Sequence, residues 1–326
     1  MDLIKNISVI FISIFLESLP FLFLGAFISS VIETYVSNDT IAKLIPKNKI
    51  LGSIVGVILG FFLPACDCAV IPVAKRLIKK KVPINVAVSF MLASPIINPV
   101  VLLSTYNAFY LTNPKIFWGR LLLGIIVSMI IGIIMGIIFG KQKVTINDDK
   151  EEHCCHHHHE VHKEDLLFED MTEEDFEDDC ECENVNHNLK NDFLSIIKHT
   201  ALDMYEVIKY LIIGALIASM IQVLLPRDVL TFFNNNPIIS IIVLMLFAYL
   251  ISLCSTSDSF VGKSLLSSFT DSSIIAYLLL GPMIDIKNTF VLLGNYKKNF
   301  TIALIFLIFI MVFISSLIWS VLWKNI

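Results

Sequence analysis

Glu17-Ser-Leu-Pro-Phe-Leu-Phe-Leu-Gly25-Ala26-Phe-Ile28-Ser-Ser30-Val-Ile32 aligns without gaps on Glu206-Val-Ile-Lys-Tyr-Leu-Ile-Ile-Gly214-Ala215-Leu-Ile217-Ala-Ser219-Met-Ile221, 189 positions later. The correspondence continues along the chain. Cys66 and Lys75 fall on Cys254 and Lys263 at an offset of 188, and Pro95-Ile-Ile-Asn98 falls on Pro282-Met-Ile-Asp285 at 187. A drift of one residue per intervening loop is what a duplicated unit accumulates, and apolar composition alone does not produce it. The expected fold is therefore two homologous halves, residues 1–140 and 199–326, separated by an insert at 141–198.

Both halves are too apolar for water. The chain is 56% hydrophobic and 16% charged over 326 residues, with a mean hydropathy of +0.78, values that soluble domains do not reach. A helix needs about 20 apolar residues to cross a hydrocarbon core about 30 Å thick. Eight stretches meet or approach this, at 7–32, 50–73, 82–106, 116–139, 201–225, 237–260, 273–293 and 300–323. The sequence thus predicts an all-α integral membrane protein with about eight transmembrane helices in two four-span repeats. Four spans per unit make the repeats parallel, and an odd number inverts them. The first stretch is longer than a signal-peptide core and reads as a retained span. Trp118, Trp319 and Trp323 suit the membrane interface.

Lys75-Arg76-Leu77-Ile78-Lys79-Lys80-Lys81 is the densest basic cluster and is expected to face the cytoplasm of a bacterial cell. Counting spans from it puts the termini and the insert inside, although Lys297 and Lys298 then fall outside. Residues 141–192 carry 5 Lys and 18 Asp or Glu, a local balance of −13 that leaves +8 for the rest of the chain. The overall charge of −5 consequently says nothing about partners. Within the insert, Cys154-Cys155-His156-His157-His158-His159 and Cys180-Glu-Cys182 have the composition of a Zn, Cu or Ni collector. Their spacing matches no closed zinc-finger pattern, and a solvated disordered linker with incidental affinity is the competing explanation.

Inside the apolar halves, Pro64-Ala65-Cys66-Asp67-Cys68-Ala69-Val70-Ile71-Pro72 places a polar triplet between two prolines. Each proline removes a backbone donor, so the helix is expected to break there, and lipid tolerates such a break only where protein or a cavity covers it. Its counterpart, Cys254-Ser255-Thr256-Ser257-Asp258-Ser259, is equally polar. Close helix packing by small residues explains the Cys and Ser but not Asp67 and Asp258, whose insertion costs about 2.5 to 3.5 kcal/mol. The second matched pair, Ser94-Pro95-Ile-Ile-Asn98-Pro99 and Gly281-Pro282-Met-Ile-Asp285-Ile-Lys287-Asn288, interrupts two more spans, each with a polar residue three past the proline. Paired discontinuous helices build transporter sites; a simple proline kink, with Asp285 and Lys287 neutralising each other, is the plainer alternative. The expected substrate-binding set is Cys66, Asp67, Cys68, Pro95, Asn98, Cys254, Ser255, Thr256, Asp258, Pro282, Asp285 and Lys287, with no catalytic residues. Glu17 and Glu206 are proton-relay candidates unless they sit at the membrane interface.

No phosphate-binding loop, dinucleotide fingerprint, zinc-protease motif or nucleophile elbow occurs. The chain is thus expected to be no enzyme, to need no cofactor and to bind no nucleic acid. Its expected partners are the bilayer, a small solute and divalent metal ions at the insert, with no oligomeric state implied. The pattern Cys66-x-Cys68-x-x-Ile-Pro72-Val-Ala, a following basic cluster, Ser94-Pro95-x-Ile-Asn98-Pro99 and the two second-half motifs resembles the bacterial predicted-permease family that contains the ArsP-type organoarsenical efflux permeases and the YraQ-type proteins. That resemblance implies eight spans and, from the ArsP-type members, extrusion of trivalent organoarsenicals with Cys66, Cys68 and Cys254 as metalloid contacts. Asp67 stands where that pattern has Ser, and Ala69 where it has Gly. The function expected is efflux of a small soft-metal or metalloid species. A membrane thiol-redox enzyme using Cys66 and Cys68, or a membrane metal sensor, is the alternative.

Overall fold

The computed structural model describes residues 2–35, 46, 48–63, 67–140, 142, 144–146, 189–224 and 236–324. Among them no strand occurs, only one isolated bridge between Thr145 and Tyr296. The helices are α1 (Asp2–Tyr35), α2 (Lys49–Phe62), α3 (Val70–Lys79), α4 (Ile84–Ile97), α5 (Pro99–Phe109) and α6 (Pro114–Ile138), then α7 (Leu189–Leu224), α8 (Pro237–Ile251), α9 (Ser257–Leu265), α10 (Asp271–Met283), α11 (Ile286–Asn295) and α12 (Lys298–Lys324). Taken in order, helices of 34, 14, 10, 14, 11 and 25 residues precede the insert. Helices of 36, 15, 9, 13, 10 and 27 residues follow it.

Six helical stretches among the described residues are long and apolar enough to cross a membrane: Ile4–Val31, Ile84–Phe109, Pro114–Ile138, Thr200–Leu224, Asp271–Asn295 and Lys298–Leu322. The sequence stretches at 50–73 and 237–260 are each divided instead. Their apolar parts are the shorter helices α2 and α8, and each is followed by a break and a short polar helix, α3 or α9.

Burial separates centre from perimeter. The apolar windows of Ile84–Phe109 and Asp271–Asn295 are 78% and 89% buried, against 17% to 39% for the other four. The two centrally buried spans are the two that the prolines interrupt. α4 lies between α2 and α6, α10 lies between α8 and α12, and α4 touches α10. α2 meets α4 through Gly52, Ser53, Gly56 and Gly60, small residues that let backbones approach closely where no water is displaced to drive association. The perimeter carries large apolar side chains outward, among them Val9, Phe23, Leu122, Ile137, Ile302 and Phe306. An outward-facing surface of this kind suits lipid.

Each interruption has a local cause. Asn98 accepts a hydrogen bond on its side chain from the Val100 amide at 3.0 Å, and Asp285 does the same from the Asn288 amide at 2.7 Å. The polar residue three past each proline is therefore the N-cap of a new helix, with Pro99 at the first turn of α5 where its missing N–H costs nothing. α8 ends differently, in a left-handed Ser252 at φ 51° and ψ 47°, a conformation for which glycine is the usual residue.

The matched glycines of the two longest helices hold the broken segments in place. A Cβ on Gly25 would lie 2.8 Å from the Ala69 carbonyl, and one on Gly214 would lie 2.7 Å from Lys287 Cα. Though equivalent in sequence, they face different partners, the first break and the second interrupted helix. Gly214→Ala is expected to lower stability by about 1 to 3 kcal/mol, the usual cost of overpacking, despite alanine's better helix propensity. Thermal unfolding of detergent-purified protein measures this, and an unchanged midpoint would show that α7 can step back freely.

Candidate functional site

A backbone broken among apolar helices exposes carbonyls that water cannot reach, and each needs a partner. Ser94 Oγ donates to the Leu63 carbonyl at 3.2 Å within the first half. Several further side-chain bonds to carbonyls in or next to the breaks cross between the halves or join two breaks. Ser104 Oγ donates to Thr256 O at 2.9 Å, Arg120 Nη2 to Ser255 O at 3.2 Å, and Tyr296 OH to Ile71 O at 3.4 Å. Lys287 Nζ donates to Ser252 O at 3.2 Å, so the left-handed turn at Ser252 presents its carbonyl to a charged donor.

That ammonium also lies 3.0 Å from Asp285 Oδ2 and 3.4 Å from Asp67 Oδ2. Asp67, Asp285 and Lys287 are all buried, Asp285 with no exposure at all. Asn288 joins them, with its Nδ2 3.5 Å from Asp67 Oδ2 and its Oδ1 accepting from Cys68 Sγ at 3.4 Å. A small cleft opens beside the triad, about 10 Å³ in volume, bounded by Asp67, Cys68, Ser252, Cys254 and Lys287 and by the Ile14, Glu17, Ser18 and Phe21 face of α1. A space of that size admits one water or one ion. Neither Cys68 nor Cys254 forms a disulfide, and Cys254 Sγ is 3.2 Å from Thr256 Oγ1.

A second charged cluster lies a few residues along the same broken segment. Arg120 of α6 is fully buried. Its Nη1 donates to Thr105 Oγ1 at 2.7 Å and to Ser259 Oγ at 2.8 Å. Asp258, attracted electrostatically by Arg120, accepts from Tyr277 OH at 3.0 Å. Residues 252–259 thus touch two buried cations, Lys287 through a carbonyl at one end and Arg120 through a carbonyl and a hydroxyl at the other. Among the described residues, Asp67 Oδ1, Asp258 Oδ2, Ser252 Oγ and Arg120 Nε have no hydrogen-bond partner. Four orphaned polar atoms around two adjacent clusters mark a region built for more than packing.

Of the residues singled out in the sequence, Asp67, Cys68, Cys254, Asp285 and Lys287 come together at the cleft or its triad. Ser255, Thr256 and Asp258 line the segment beside it. Pro95 and Asn98 are buried but stand at the α4–α5 junction, where Asn98 caps a helix and does not line the cleft. Cys66, the Glu206 side chain and the insert's Cys154, Cys155, His156, His157, His158, His159, Cys180 and Cys182 lie outside the described residues. Sequence reading missed Arg120, Tyr277, Ser252 and Asn288. An arginine a few residues inside an apolar run was the available signal, and it resembles a snorkelling interfacial residue until burial is known.

A family model described as a predicted permease matches residues 3–321. A Bacillus subtilis (strain 168) protein named UPF0718 protein YcgR is 36% identical over 313 residues, 96% of each chain. A Streptococcus mutans serotype c protein named putative two-component membrane permease complex subunit is 33% identical over 299 residues, covering 91% of this chain and 89% of its own. No solved structure matches.

Arg120→Leu is expected to cost about 3 to 5 kcal/mol, the price of leaving a buried charge uncompensated. Asp258→Asn in the same chain is expected to recover part of that loss, giving a coupling term that thermal unfolding of the two single variants and the double variant reads directly. Strictly additive losses would show that the two charges do not sense each other.

Proposed function

The chain belongs to the predicted-permease family, and from that premise we propose that it is a secondary permease of the cell membrane that exports a small soft-metal or metalloid species through the cleft between its halves. The observation that carries this reading is the pairing of Cys68 from the first half with Cys254 from the second on one small cavity, beside a buried carboxylate. Two thiols lining one space are soft ligands that a passing ion or metalloid engages in turn. Cys66, one residue before Asp67, is assigned to the same path. The equal order and near-equal lengths of the six helices before and after the insert support a duplicated unit of four spans, in which the divided stretches at 50–73 and 237–260 count as broken spans.

With no nucleotide-binding loop in the chain, movement draws on a gradient or on a separate energising protein. The name of the Streptococcus mutans relative describes a subunit of a two-component complex, and a second membrane subunit is part of the reading for this chain. The termini and the insert are assigned to the cytoplasm, where the His/Cys-rich segment gathers cargo before it reaches the cleft.

Everted vesicles from cells expressing the chain are expected to accumulate at least one of a trivalent organoarsenical, arsenite, Zn²⁺, Cd²⁺, Cu⁺ or Ni²⁺. Cys68→Ser and Cys254→Ser are each expected to lower that uptake at least about tenfold, the effect of losing about 1.4 kcal/mol of binding. Uptake unchanged in both variants would remove the thiols from the path. Deletion of residues 150–188 is expected to raise the cargo concentration needed for half-maximal uptake while leaving the maximal rate intact. No change in either would reduce the insert to a linker.

A further inference from the structure

Glu17 stands where a carboxylate has least to hold it. In the apolar window Ile4–Val31 of 28 residues it is the central position, so about 20 Å of helix lies on either side. A hydrocarbon core about 30 Å thick therefore leaves Glu17 near the midplane, far from both membrane interfaces. It is exposed, and among the described residues no cation pairs with it. Pro20, inside the same helix, has no N–H for the Leu16 carbonyl one turn back, and Leu16 and Pro20 are exposed as well. A carboxylate and a freed carbonyl thus lie within one turn on the outer side of α1, at a depth where lipid offers no hydrogen bond. Lys209 of α7 shows the usual remedy. Ser30 meets Thr200 at 3.0 Å and Ile14 shares a cluster with Ala215 and Ala218, so α1 and α7 run antiparallel and Lys209 lies close to the depth of Glu17. Its ammonium rests over the Tyr205 ring, 3.9 Å from the centroid. Glu17 has no such contact.

Three kinds of neighbour are available to this face. Lipid leaves the carboxylate and the carbonyl unmet. A second copy of the chain, packed about a two-fold axis, sets the same patch against itself and brings Glu17 towards Glu17. A different chain with a basic side chain at mid-span meets the carboxylate with its complement. Resting on the permease reading above and its second membrane subunit, we propose that this subunit docks on α1 along the exposed stripe Ser13, Glu17, Pro20 and Leu24, with a transmembrane helix whose mid-span lysine or arginine pairs with Glu17. Those four positions recur at the spacing of one helix face. α1 is also the least buried of the six candidate spans, at 17%. The contact bears on transport because the stripe adjoins the cleft. Ile14 and Ser18 are buried on the cleft side of α1, and the exposed Glu17 and Phe21 form its rim. The subunit therefore walls the mouth of the space that Asp67, Cys68 and Cys254 line, and the transport unit is the pair of chains.

The test is made in native membranes with the full chain. A photoreactive phenylalanine analogue replaces Ser13 or Leu24, or, as controls, Ile302 or Phe306 on the outward face of α12. Irradiation is expected to join positions 13 and 24, but not 302 and 306, to one protein other than this chain. Peptide mass spectrometry of the product is expected to show a transmembrane segment with a lysine or arginine near its middle. Glu17→Lys is expected to lower that cross-link, and the uptake of Cd²⁺, arsenite or a trivalent organoarsenical by everted vesicles, at least about tenfold. Exchanging the partner's basic residue for glutamate in the same cells is expected to restore both. Cross-links to a second copy of this chain, to lipid alone, or equally from all four positions overturn the proposal, as does an exchange that restores neither. Should Glu17→Lys fail to reach the membrane, Glu17→Leu decides, since leucine suits lipid better than glutamate. A cross-link unchanged in that variant overturns the docking, and a loss of at least about tenfold upholds it. Uptake at the full rate by this chain reconstituted alone overturns the inference and leaves the permease reading standing. Native vesicles holding both chains that move none of these solutes end the permease reading itself.

Discussion

A backbone that stops being helical among apolar side chains leaves carbonyls with nowhere to turn, and the rest of this architecture follows from satisfying them. The carbonyls of Ser255 and Thr256 are met by Arg120 and Ser104 from the other half, and that of Ile71, in the first turn of α3, also accepts from Tyr296. Each bond fastens one half's break to the opposite half's interrupted span or its flanking helix. The polar centre is thus a structural requirement before it is a binding site, since removing a donor strands a carbonyl where no water replaces it.

Arg120 and Lys287 divide the work. Arg120 donates to neutral oxygens from two elements of opposite halves and sits with no exposure, the behaviour of a fixed fork that pins the segment 252–259. Lys287, a flexible stem with three rotatable donors, is placed where carboxylates from both halves converge beside an open space. Neither charge has a counterpart at the matching position of the other half. The described helices follow the same order and near-equal lengths before and after the insert, while the charged side chains do not repeat.

Much of this was legible in the residues. The internal alignment located both breaks and both interruptions, and the excess of acidic residues separated the insert from the apolar body. Asp67, Cys68, Cys254, Asp285 and Lys287 stood out in the sequence because a charge or thiol beside proline in an apolar run has few innocent explanations, and they lie together at the cleft and its triad. Three features were not readable. The stretches at 50–73 and 237–260 looked like whole spans because hydropathy averages over a break of a few residues. Asn98 was expected at the site because its spacing from Pro95 matches that of Asp285 from Pro282; that spacing also makes both residues N-caps, which the sequence did not signal, and only Asp285 has a lysine two residues on that pairs with it. Ser252 carried no signal at all, since a left-handed serine is visible only in the backbone.

The broken segments of the two halves meet at one space lined by Cys68 and Cys254, and the proximity of those two thiols is open to direct measurement. With the other cysteines replaced by serine and a protease site placed within residues 150–188, native membranes are treated with a short bifunctional maleimide and then cleaved. The account predicts that the halves stay joined as a single species, and that cargo ions added beforehand protect against the linkage. Halves that separate after cleavage, although each thiol reacts singly with the reagent, would contradict it.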